Sequence, residues 1–246
     1  MTDSTEARKI EVESLIEDLV DANRILFHQN VLDGFGHVSA RHPERPDRFL
    51  LSRNMAPALV QAADVLEFDS DGAVVRPDGR SVYLERFIHS EIYRARPDVA
   101  AIVHAHSASV IPFGVVRGVR LGAVCHMCGF LGAGAPIFEI RDFAGDGSDL
   151  LIRDRGLGAA LASSLEDAPV VLMRGHGVTV VGSTLRQAVF RAVYTEVGAR
   201  LQAEASRLGP VTFLTPAEAA ATARTNDTQI NRAWDLWRAR AGGATS

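Results

Sequence analysis

Two histidines stand where a strand would aim both side chains at one point. His104 and His106 end the segment VAAIVHAHS (99–107), which is apolar and rich in β-branched residues and therefore predicts a strand. Side chains two residues apart lie on the same face of a strand, so both imidazoles can bind one metal ion. A third histidine, His176, follows another predicted strand and has a glycine on each side. Three histidines that leave a coordination position open are typical of a catalytic metal site.

An acidic residue completes this group. Glu85 opens the predicted helix over 84–94, which leads into the strand that carries the histidine pair. The helix dipole favours a carboxylate in this first turn, and from there the carboxylate can reach a metal ion or a bound substrate. Taken alone, an acid at the start of a helix is more often an exposed surface group. Its place next to the histidine strand is what favours a role in the site.

Other residues with reactive side chains are predicted to serve packing. Cys125 and Cys128 form C-x-x-C, a spacing found in redox and zinc sites. The sequence has no second cysteine pair, and a strand over these residues would turn the two side chains to opposite faces. Packing or surface roles are also predicted for the following residues: His28, His42, His89, Tyr194, Trp234 and Trp237.

The elements that must position these side chains follow one another without a long linker. Apolar residues at helical spacing predict helices, β-branched runs predict strands, and Asp71-Gly72 predicts a hairpin turn. Helices are predicted over 6–29, 84–94, 149–165, 185–208 and 216–240, and strands over 37–40, 48–52, 65–68, 73–75, 99–107, 121–125, 135–140, 168–173 and 178–182. We expect one α/β domain over 1–246, with a mixed sheet, helices on both faces and a helical tail from about residue 215.

Composition excludes several classes of protein. The chain has 246 residues, of which 47% are apolar and 23% charged, so it can bury a sizeable core. A formal net charge of -4 argues against a nucleic-acid-binding protein. Its apolar runs are too short to span a membrane, and the polar start MTDSTEARKIEVE does not resemble a secretory signal. Two cysteines exclude a disulfide scaffold and favour a reducing, cytoplasmic location.

Three segments together resemble the class II aldolase and adducin family, and they occur in the family order. They are GHVSAR (36–41), YLERFIHSEIYRARPDVAAIVHAHS (83–107) and LMRGHGVTVVG (172–182). The resemblance extends over about residues 10 to 240. It implies an α/β/α sandwich around a largely antiparallel sheet, often assembled as a homotetramer with active sites between subunits.

The resemblance also assigns roles within the site. It implies His104, His106 and His176 as metal ligands, and Glu85 as an acid/base residue that can itself ligate the metal when the site is empty. One divalent ion per subunit follows. Zinc and manganese are expected first and iron or cobalt as alternatives, because imidazole and carboxylate ligands suit all four.

Two departures from the family pattern bear on the substrate. Sugar-phosphate aldolases of this family carry Gly-Asn-x-Ser in the first loop, whereas this chain has GHVS (36–39), with His37 in place of asparagine. Tyr83 and Leu84 precede the acid, where those aldolases have hydroxyl residues. The phosphate cradle is therefore predicted to be dismantled, which favours flatter substrates without phosphate.

The same segments look more like the decarboxylase branch of the family. This likeness rests on GHVSARHP (36–43), LLSR (50–53), YLERFIH (83–89) and, more loosely, HMCG (126–129). Members of that branch act on hydroxylated aromatic or pyridine carboxylates, including hydroxy-methylpyridine dicarboxylate and dihydroxyphthalate. We therefore predict a divalent-metal-dependent decarboxylase of an ortho-hydroxy aromatic or heteroaromatic carboxylate, with the metal chelating the carboxylate and the hydroxyl.

Individual residues receive expected roles in this reaction. Glu85 is the predicted proton donor or relay, since a buried carboxyl with a near-neutral pKa can serve so. His37 is predicted to orient the substrate or shuttle a proton, although it can also simply cap a turn. Arg53 suits a second substrate carboxylate through bidentate pairing, or is a surface charge. Further predicted substrate-binding residues are Ser39, Ser52 and His126, the last equally plausible as a core histidine.

Three other functions stay open at this point. The first is an aldolase that cleaves a hydroxy-carbonyl compound, and the second is an Fe(II) oxygenase built on the three histidines. The third is a non-enzymatic, adducin-like scaffold, although a scaffold has no need for four convergent metal-site groups. The expected partners are a small hydroxy-carboxylate and further copies of the chain as a homo-oligomer, without nucleic acid or membrane.

Overall fold

Helices and strands alternate along the chain, and the computed structural model describes residues 2–242. The helices are α1 Thr2–His28, α2 Arg86–Ala95, α3 Ile111–Val115, α4 Arg141–Ala144, α5 Arg155–Leu165, α6 Leu185–Leu208, α7 Pro216–Asp227 and α8 Ile230–Arg240. The strands are β1 His37–Arg41, β2 Arg48–Ser52, β3 Val65–Asp69, β4 Ala101–Ala105, β5 Ile137–Phe138, β6 Val170–Met173 and β7 Gly177–Gly182. Short 3-10 helices lie at Pro57–Leu59, Ala62–Asp64 and His126–Leu131.

The strands form one mixed sheet in the order β3-β2-β1-β4-β7-β6-β5. Strands β5 and β6 are parallel, whereas all other neighbours are antiparallel. The register of β1 against β4 places His37 directly opposite His104. The predicted mixed, largely antiparallel sheet is confirmed, and its register already brings two predicted site residues side by side.

Helices cover both faces of this sheet, because side chains alternate between the faces along each strand. One face carries Val38 and Val103 and packs against α1, α6 and α8 in a continuous apolar core. The opposite face carries Leu51 and Ile102 and packs against α2 and α5. The predicted α/β/α sandwich is therefore confirmed. Helix α2, which follows Glu85, lies on the same face as His104.

The hairpin turn predicted at Asp71-Gly72 forms, but its second arm is short. Gly72 has a φ of +76°, a conformation that glycine adopts without strain. The Asp69 amide donates to the Ala73 carbonyl at 2.9 Å and closes the turn. Beyond it only a single bridge joins Val74 to Phe68, so the strand predicted over 73–75 is reduced to that bridge.

The strand predicted over 121–125 is wrong. Leu121 and Ala123 are fully buried, but the segment has no strand neighbour, and its backbone groups bind two loops and the side chain of Gln202. The Leu121 carbonyl accepts from the Ala135 amide at 2.9 Å, and the Ala123 carbonyl accepts from the Leu214 amide at 2.8 Å. The apolar pattern of this segment thus reflects burial rather than membership of the sheet.

The chain beyond residue 215 forms α7 and α8, which pack back onto the molecule. The ring of Trp237 lies 6.3 Å from that of Phe190 and 6.0 Å from that of Tyr194, between ring centres. Trp234 is 1% exposed. These aromatic residues belong to the core, as predicted. None of the described helices combines the length and apolarity that a membrane span requires.

Candidate active site

Four side chains with metal-ligating groups converge at one end of the central strands. His104 lies near the end of β4, His106 just after it, His176 in the turn between β6 and β7, and Glu85 directly before α2. One ligand atom of each lies within 4.8 Å of all the others. The structure thus brings together the four residues that sequence analysis combined.

The distances within this cluster suit a divalent cation. The Nε2 atom of His106 lies 3.2 Å from Nε2 of His104 and 2.9 Å from Nε2 of His176. Imidazole nitrogens bound about 2.1 Å from one ion stand roughly 3.0–3.4 Å apart, so this spacing is that of a shared ligand shell. Oε2 of Glu85 lies 3.5 Å from Nε2 of His104 and 3.6 Å from Nε2 of His176. Three imidazoles and one carboxylate are a donor set that fits the predicted metal.

A glycine allows the two histidine-bearing segments to approach each other. Gly177 begins β7, and a Cβ atom at this position would lie 2.2 Å from the Ala105 carbonyl oxygen. No side chain fits there without displacing β4. Gly177 therefore lets the turn that carries His176 close onto the end of the strand that carries His104 and His106.

The ring of His176 is oriented by a backbone carbonyl. Its Nδ1 donates to the Leu150 oxygen at 2.9 Å, which leaves Nε2 as the unprotonated nitrogen facing the cluster. Leu150 has a φ of +69°, an uncommon conformation for a residue with a Cβ, and its amide donates to Ser148 Oγ at 3.0 Å. Burial, and then His104, lower the pKa of His176 to about 4, so the ring is neutral at pH 7. A neutral imidazole is the form that ligates metals.

The loop that supplies this carbonyl was predicted to be helical. The helix predicted over 149–165 instead begins at Arg155, where the Asp154 side chain caps it by accepting from the Leu157 amide at 2.9 Å. The residues before the cap form a loop that makes two hydrogen bonds to the cluster. The Leu150 carbonyl accepts from His176, and the Ile152 amide donates to Glu85. The shortened helix thus frees a segment that orients two residues of the cluster.

Glu85 is buried rather than displayed on the surface. It is 7% exposed, and its Oε1 accepts from the Ile152 amide at 3.0 Å while Oε2 faces the histidines. Burial opposes ionisation of the carboxyl, but His104, His176 and the Ile152 amide outweigh it and lower the pKa to about 2. Glu85 is therefore ionised at neutral pH. The near-neutral pKa expected from its burial is wrong, because favourable neighbours outweigh desolvation.

The rings of His37 and Tyr83 lie next to each other beside the cluster, and we call these two residues the aromatic wall. The ring centre of His37 lies 5.0 Å from that of His104 and 4.5 Å from that of Tyr83. His37 is 3% exposed. Burial, followed by the neighbouring histidines His89 and His104, lowers the pKa of His37 well below its usual value, so the ring is neutral. Its Nδ1 lies 2.7 Å from Nε2 of His89.

Two predicted substrate-binding residues lie at the end of β2. Ser52 Oγ lies 3.3 Å from the hydroxyl of Tyr83, so Ser52 contacts the aromatic wall at Tyr83. The Arg53 Nε donates to Asp64 Oδ1 at 2.7 Å, and the Arg53 side chain is 36% exposed. One edge of the guanidinium is thus held by Asp64, which fixes the direction of the rest.

The other two predicted substrate-binding residues are not joined to the cluster. Ser39 is 0% exposed, and its hydroxyl is engaged by His89 at 2.6 Å and Tyr93 at 2.8 Å. A direct contact with substrate, as predicted for Ser39, would require both bonds to break. His126 starts the 3-10 helix His126–Leu131 and is exposed, with its carbonyl accepting from Asn226. Within the described residues, neither belongs to the group of metal-ligating side chains.

The sequence pattern did not indicate that His89 and Tyr93 lie next to the site. Both lie on α2 and are buried, at 0% and 6% exposed. They are four residues apart, so they share one face of the helix, and this spacing could have drawn attention to them. Only the packing of α2 against β1 shows that this face meets Ser39 and His37.

The two cysteines lie closer together than predicted. Because residues after Cys125 form a 3-10 helix rather than a strand, its Sγ lies 3.1 Å from Sγ of Cys128. The hydrogen bond between the two thiols lowers the pKa of Cys125 to about 6 and raises the pKa of Cys128. Cys128 is fully buried in the core beside Tyr194, which agrees with the predicted packing role.

The buried histidine His89 should make the protein sensitive to acid. Burial, and then His104, lower its pKa to about 3, whereas an unfolded histidine has a pKa of about 6.5. Between these values only the unfolded chain takes up the proton, so the free energy of unfolding falls by about 1.4 kcal/mol per pH unit. From about pH 6.5 to about pH 5 we expect a loss of about 2 kcal/mol from His89 alone.

Urea unfolding at several pH values measures this loss. In the variant His89→Gln the pH slope should decrease by up to one proton relative to the wild type. The variant His28→Gln, which changes an exposed histidine, is the control. An unchanged slope in His89→Gln would contradict the assignment of this acid sensitivity to His89.

Comparisons with known proteins agree with the fold and the cluster. The chain matches the family described as Class II Aldolase and Adducin N-terminal domain over residues 17–203. It is 39% identical over 245 residues to decarboxylase tropJ of Talaromyces stipitatus, with 90% of this chain and 92% of that protein covered. It is 32% identical over 214 residues to 3,4-dihydroxyphthalate decarboxylase of Terrabacter sp., with 81% and 84% covered.

A solved structure shows the same architecture. L-fuculose 1-phosphate aldolase from Glaciozyma antarctica superposes with a TM-score of 0.78 at 24% identity, covering 96% of this chain and 92% of that one. At this level of identity the likeness concerns the fold alone. The predicted resemblance, including its closeness to decarboxylases, is confirmed by the family match and the two relatives. The chain belongs to the class II aldolase and adducin family and is an enzyme of the carbon–carbon lyase type.

Proposed function

We propose that the protein is a divalent-metal-dependent decarboxylase of an ortho-hydroxy aromatic or heteroaromatic carboxylate. The observation that carries this proposal is the cluster of three histidines and Glu85 directly beside the aromatic wall of His37 and Tyr83. The aromatic ring of the substrate is proposed to lie beside His37, with its adjacent carboxylate and hydroxyl oxygens facing the cluster. The names of both relatives, each a decarboxylase, support the same reaction type.

The donor set would hold one divalent ion, with zinc or manganese proposed first and iron or cobalt as alternatives. Its ligands would be His104, His106, His176 and Glu85. The chemistry that such an ion supplies when bound is Lewis acidity toward the substrate oxygens. The neutral state of His176 and the ionised state of Glu85 are the protonation states that this role requires.

Glu85 is the group proposed to move the proton. As a carboxylate it accepts the proton of the substrate hydroxyl. The bond between the ring and the carboxylate then breaks, CO2 leaves, and the electron pair remains on the ring carbon. Glu85 returns the proton to that carbon, which gives the decarboxylated ring and restores the carboxylate. His37 is proposed to hold the substrate in place during these steps.

Arg53 is the residue proposed to bind a second acidic group of the substrate. Its Nε is held by Asp64, so the guanidinium is fixed at one edge and its terminal nitrogens can pair with a carboxylate. Ser52 is proposed to support this end through the Tyr83 hydroxyl. The contact of His126 with substrate and the homotetramer implied by the resemblance stay predictions.

Release of CO2 by metal-loaded protein tests the proposed function. The panel would contain benzoates and pyridine carboxylates with an ortho hydroxyl, the same rings with the hydroxyl in the para position, and dihydroxyphthalates. We expect release from at least one ortho-hydroxy acid and none from its para isomer, because only adjacent oxygens can face the cluster together. A chelator should abolish the release, and added divalent metal should restore it.

Absence of release across the panel, with bound metal demonstrated, would contradict the decarboxylase. Two parallel assays then separate the alternatives. Aldehyde formation from hydroxy-carbonyl compounds would indicate the aldolase, and oxygen consumption with iron would indicate the oxygenase.

A further inference from the structure

A continuous hydrogen-bonded chain of four buried side chains leads from the core to the site. The Tyr93 hydroxyl lies 2.8 Å from Ser39 Oγ, which lies 2.6 Å from His89 Nδ1. His89 Nε2 then lies 2.7 Å from His37 Nδ1. Tyr93 and His89 come from α2, and Ser39 and His37 come from alternate positions of β1, so both pairs face each other. We call these four residues the relay.

The positions of the hydrogen atoms in the relay follow from Tyr93, the residue at its buried end. Burial raises the pKa of Tyr93, so this hydroxyl keeps its hydrogen. Within the described residues Ser39 Oγ is the acceptor that Tyr93 contacts, and turning the hydrogen away would leave a buried O–H without a partner. Tyr93 therefore donates to Ser39, and the Ser39 hydrogen is left to donate to Nδ1 of His89.

The hydrogen positions on the two imidazole rings follow from the donor at Ser39. Burial lowers the pKa of His89 to about 3, so this ring is neutral and carries one hydrogen. Its Nδ1 accepts from Ser39, and the hydrogen must therefore lie on Nε2, which donates to Nδ1 of His37. Nδ1 of His37 accepts this hydrogen bond, so the hydrogen of the His37 ring lies on Nε2, on the side of the ring away from His89.

We propose that Ser39 and His89 are positioning residues that hold His37 in the Nε2–H tautomer, with Tyr93 as the donor behind Ser39, so that His37 presents a hydrogen-bond donor to an anionic oxygen of the substrate. The identity of that oxygen rests on the proposed function, whereas the tautomer does not. A protonated Nε2 cannot ligate a metal, so in this tautomer His37, which lies opposite His104 in the sheet, acts as a donor rather than as a ligand.

Two-bond proton–nitrogen correlation spectra of the full-length protein, labelled with 15N-histidine and loaded with zinc, report which ring nitrogen carries the hydrogen. The signals of His37 and His89 are assigned by their loss in His37→Asn and His89→Gln. In the wild type we expect hydrogen on Nε2 of both rings. In Ser39→Ala the donor to Nδ1 of His89 is gone, the hydrogen of His89 can lie on either nitrogen, and His37 should show a mixture of both tautomers. In Tyr93→Phe the Ser39 hydroxyl keeps His89 as its acceptor, so the tautomer should persist.

A pair of variants at His89 separates polarity from packing. In His89→Gln the amide oxygen can accept from Ser39 and the amide nitrogen can donate to His37, so the Nε2–H tautomer of His37 should persist. In His89→Leu neither bond exists, and the tautomer should become mixed. If CO2 release is observed, kcat should fall roughly three- to tenfold in Ser39→Ala and His89→Leu but less in His89→Gln and Tyr93→Phe, a fraction of the loss on removing a whole donor.

Several results would overturn the proposal. One is hydrogen on Nδ1 of His37 in the wild type, and another is an unchanged tautomer in Ser39→Ala. Equal tautomer mixing in His89→Gln and His89→Leu would show that residue 89 acts through packing and not through its hydrogen bonds. His89→Leu, which breaks the relay at the next link, replaces Ser39→Ala if that variant does not fold, and should give the same mixing. The spectra need no substrate, so the tautomer of His37 can be determined even if the decarboxylase assay fails.

Discussion

Replacement of His106 by alanine is expected to lower metal-dependent turnover by about 1000-fold. Loss of a residue that only hydrogen-bonds to a metal ligand costs roughly 10- to 100-fold, and loss of a ligand itself should cost more. The His106 ring lies 2.9 Å and 3.2 Å, nitrogen to nitrogen, from His176 and His104, so its removal leaves a gap in the ligand shell. His106 is only half-buried, so the fold should survive. The loss therefore reports on the site rather than on unfolding.

Metal-dependent stability measures the same change without any substrate. At about 100 times its dissociation constant, a divalent ion should raise the wild-type free energy of unfolding by about 2.7 kcal/mol. His106→Ala should show little of this increase, and His28→Ala, which removes an exposed histidine at the end of α1, should show all of it. Equal metal stabilisation of wild type and His106→Ala would rule out His106 as a ligand.

Replacement of Glu85 by glutamine is expected to lower kcat by about 10²- to 10⁴-fold, the range for loss of a general acid–base group. The amide oxygen can still accept from the Ile152 amide, so the local hydrogen bond is kept while the charge and the proton carrier are lost. Because its pKa is about 2, Glu85 stays ionised above about pH 4, and its titration should leave no step in the pH–rate profile between about pH 5 and pH 8.

Single-turnover assays at saturating metal separate this loss from weaker metal binding. A matched control is Glu91→Gln, which alters another buried carboxylate near the same helix. Glu91 pairs with Arg155 at 2.9 Å and with Arg94 at 3.3 Å rather than with the histidines. This control should retain activity within about twofold even if it unfolds more easily. Substantial turnover in Glu85→Gln, above a tenth of wild type, would remove Glu85 from the proposed proton path.

Much of the fold could be predicted from sequence because its signals are local. Strands with β-branched residues and helices with apolar spacing show their periodicity within a few residues, and the mixed sheet with helices on both faces follows from their alternation. The segment over 121–125 shows where this fails. Its residues are as apolar as a strand, but their backbone groups bind the loops around residues 135 and 214 instead of a neighbouring strand.

The candidate site divides in the same way. The spacing of His104 and His106 predicts convergence directly, because a strand repeats every two residues. Glu85 required more, since its position at the start of a helix is equally that of a surface acid. Its burial and ionisation depend on the loop around Ile152, which sequence analysis assigned to a helix. Ser39 was predicted to touch substrate, whereas the packing of α2 turns its hydroxyl into an internal link.

The sequence by itself determined the family, the central strands and the types of ligand that meet at their ends, because these depend on residue identity and short-range periodicity. Only the tertiary structure decided how those ligands are protonated and oriented. The Leu150 carbonyl sets the ring of His176, and the chain from Tyr93 to His89 sets that of His37. Such settings arise from burial and from hydrogen bonds between segments far apart in sequence, and no local pattern records them.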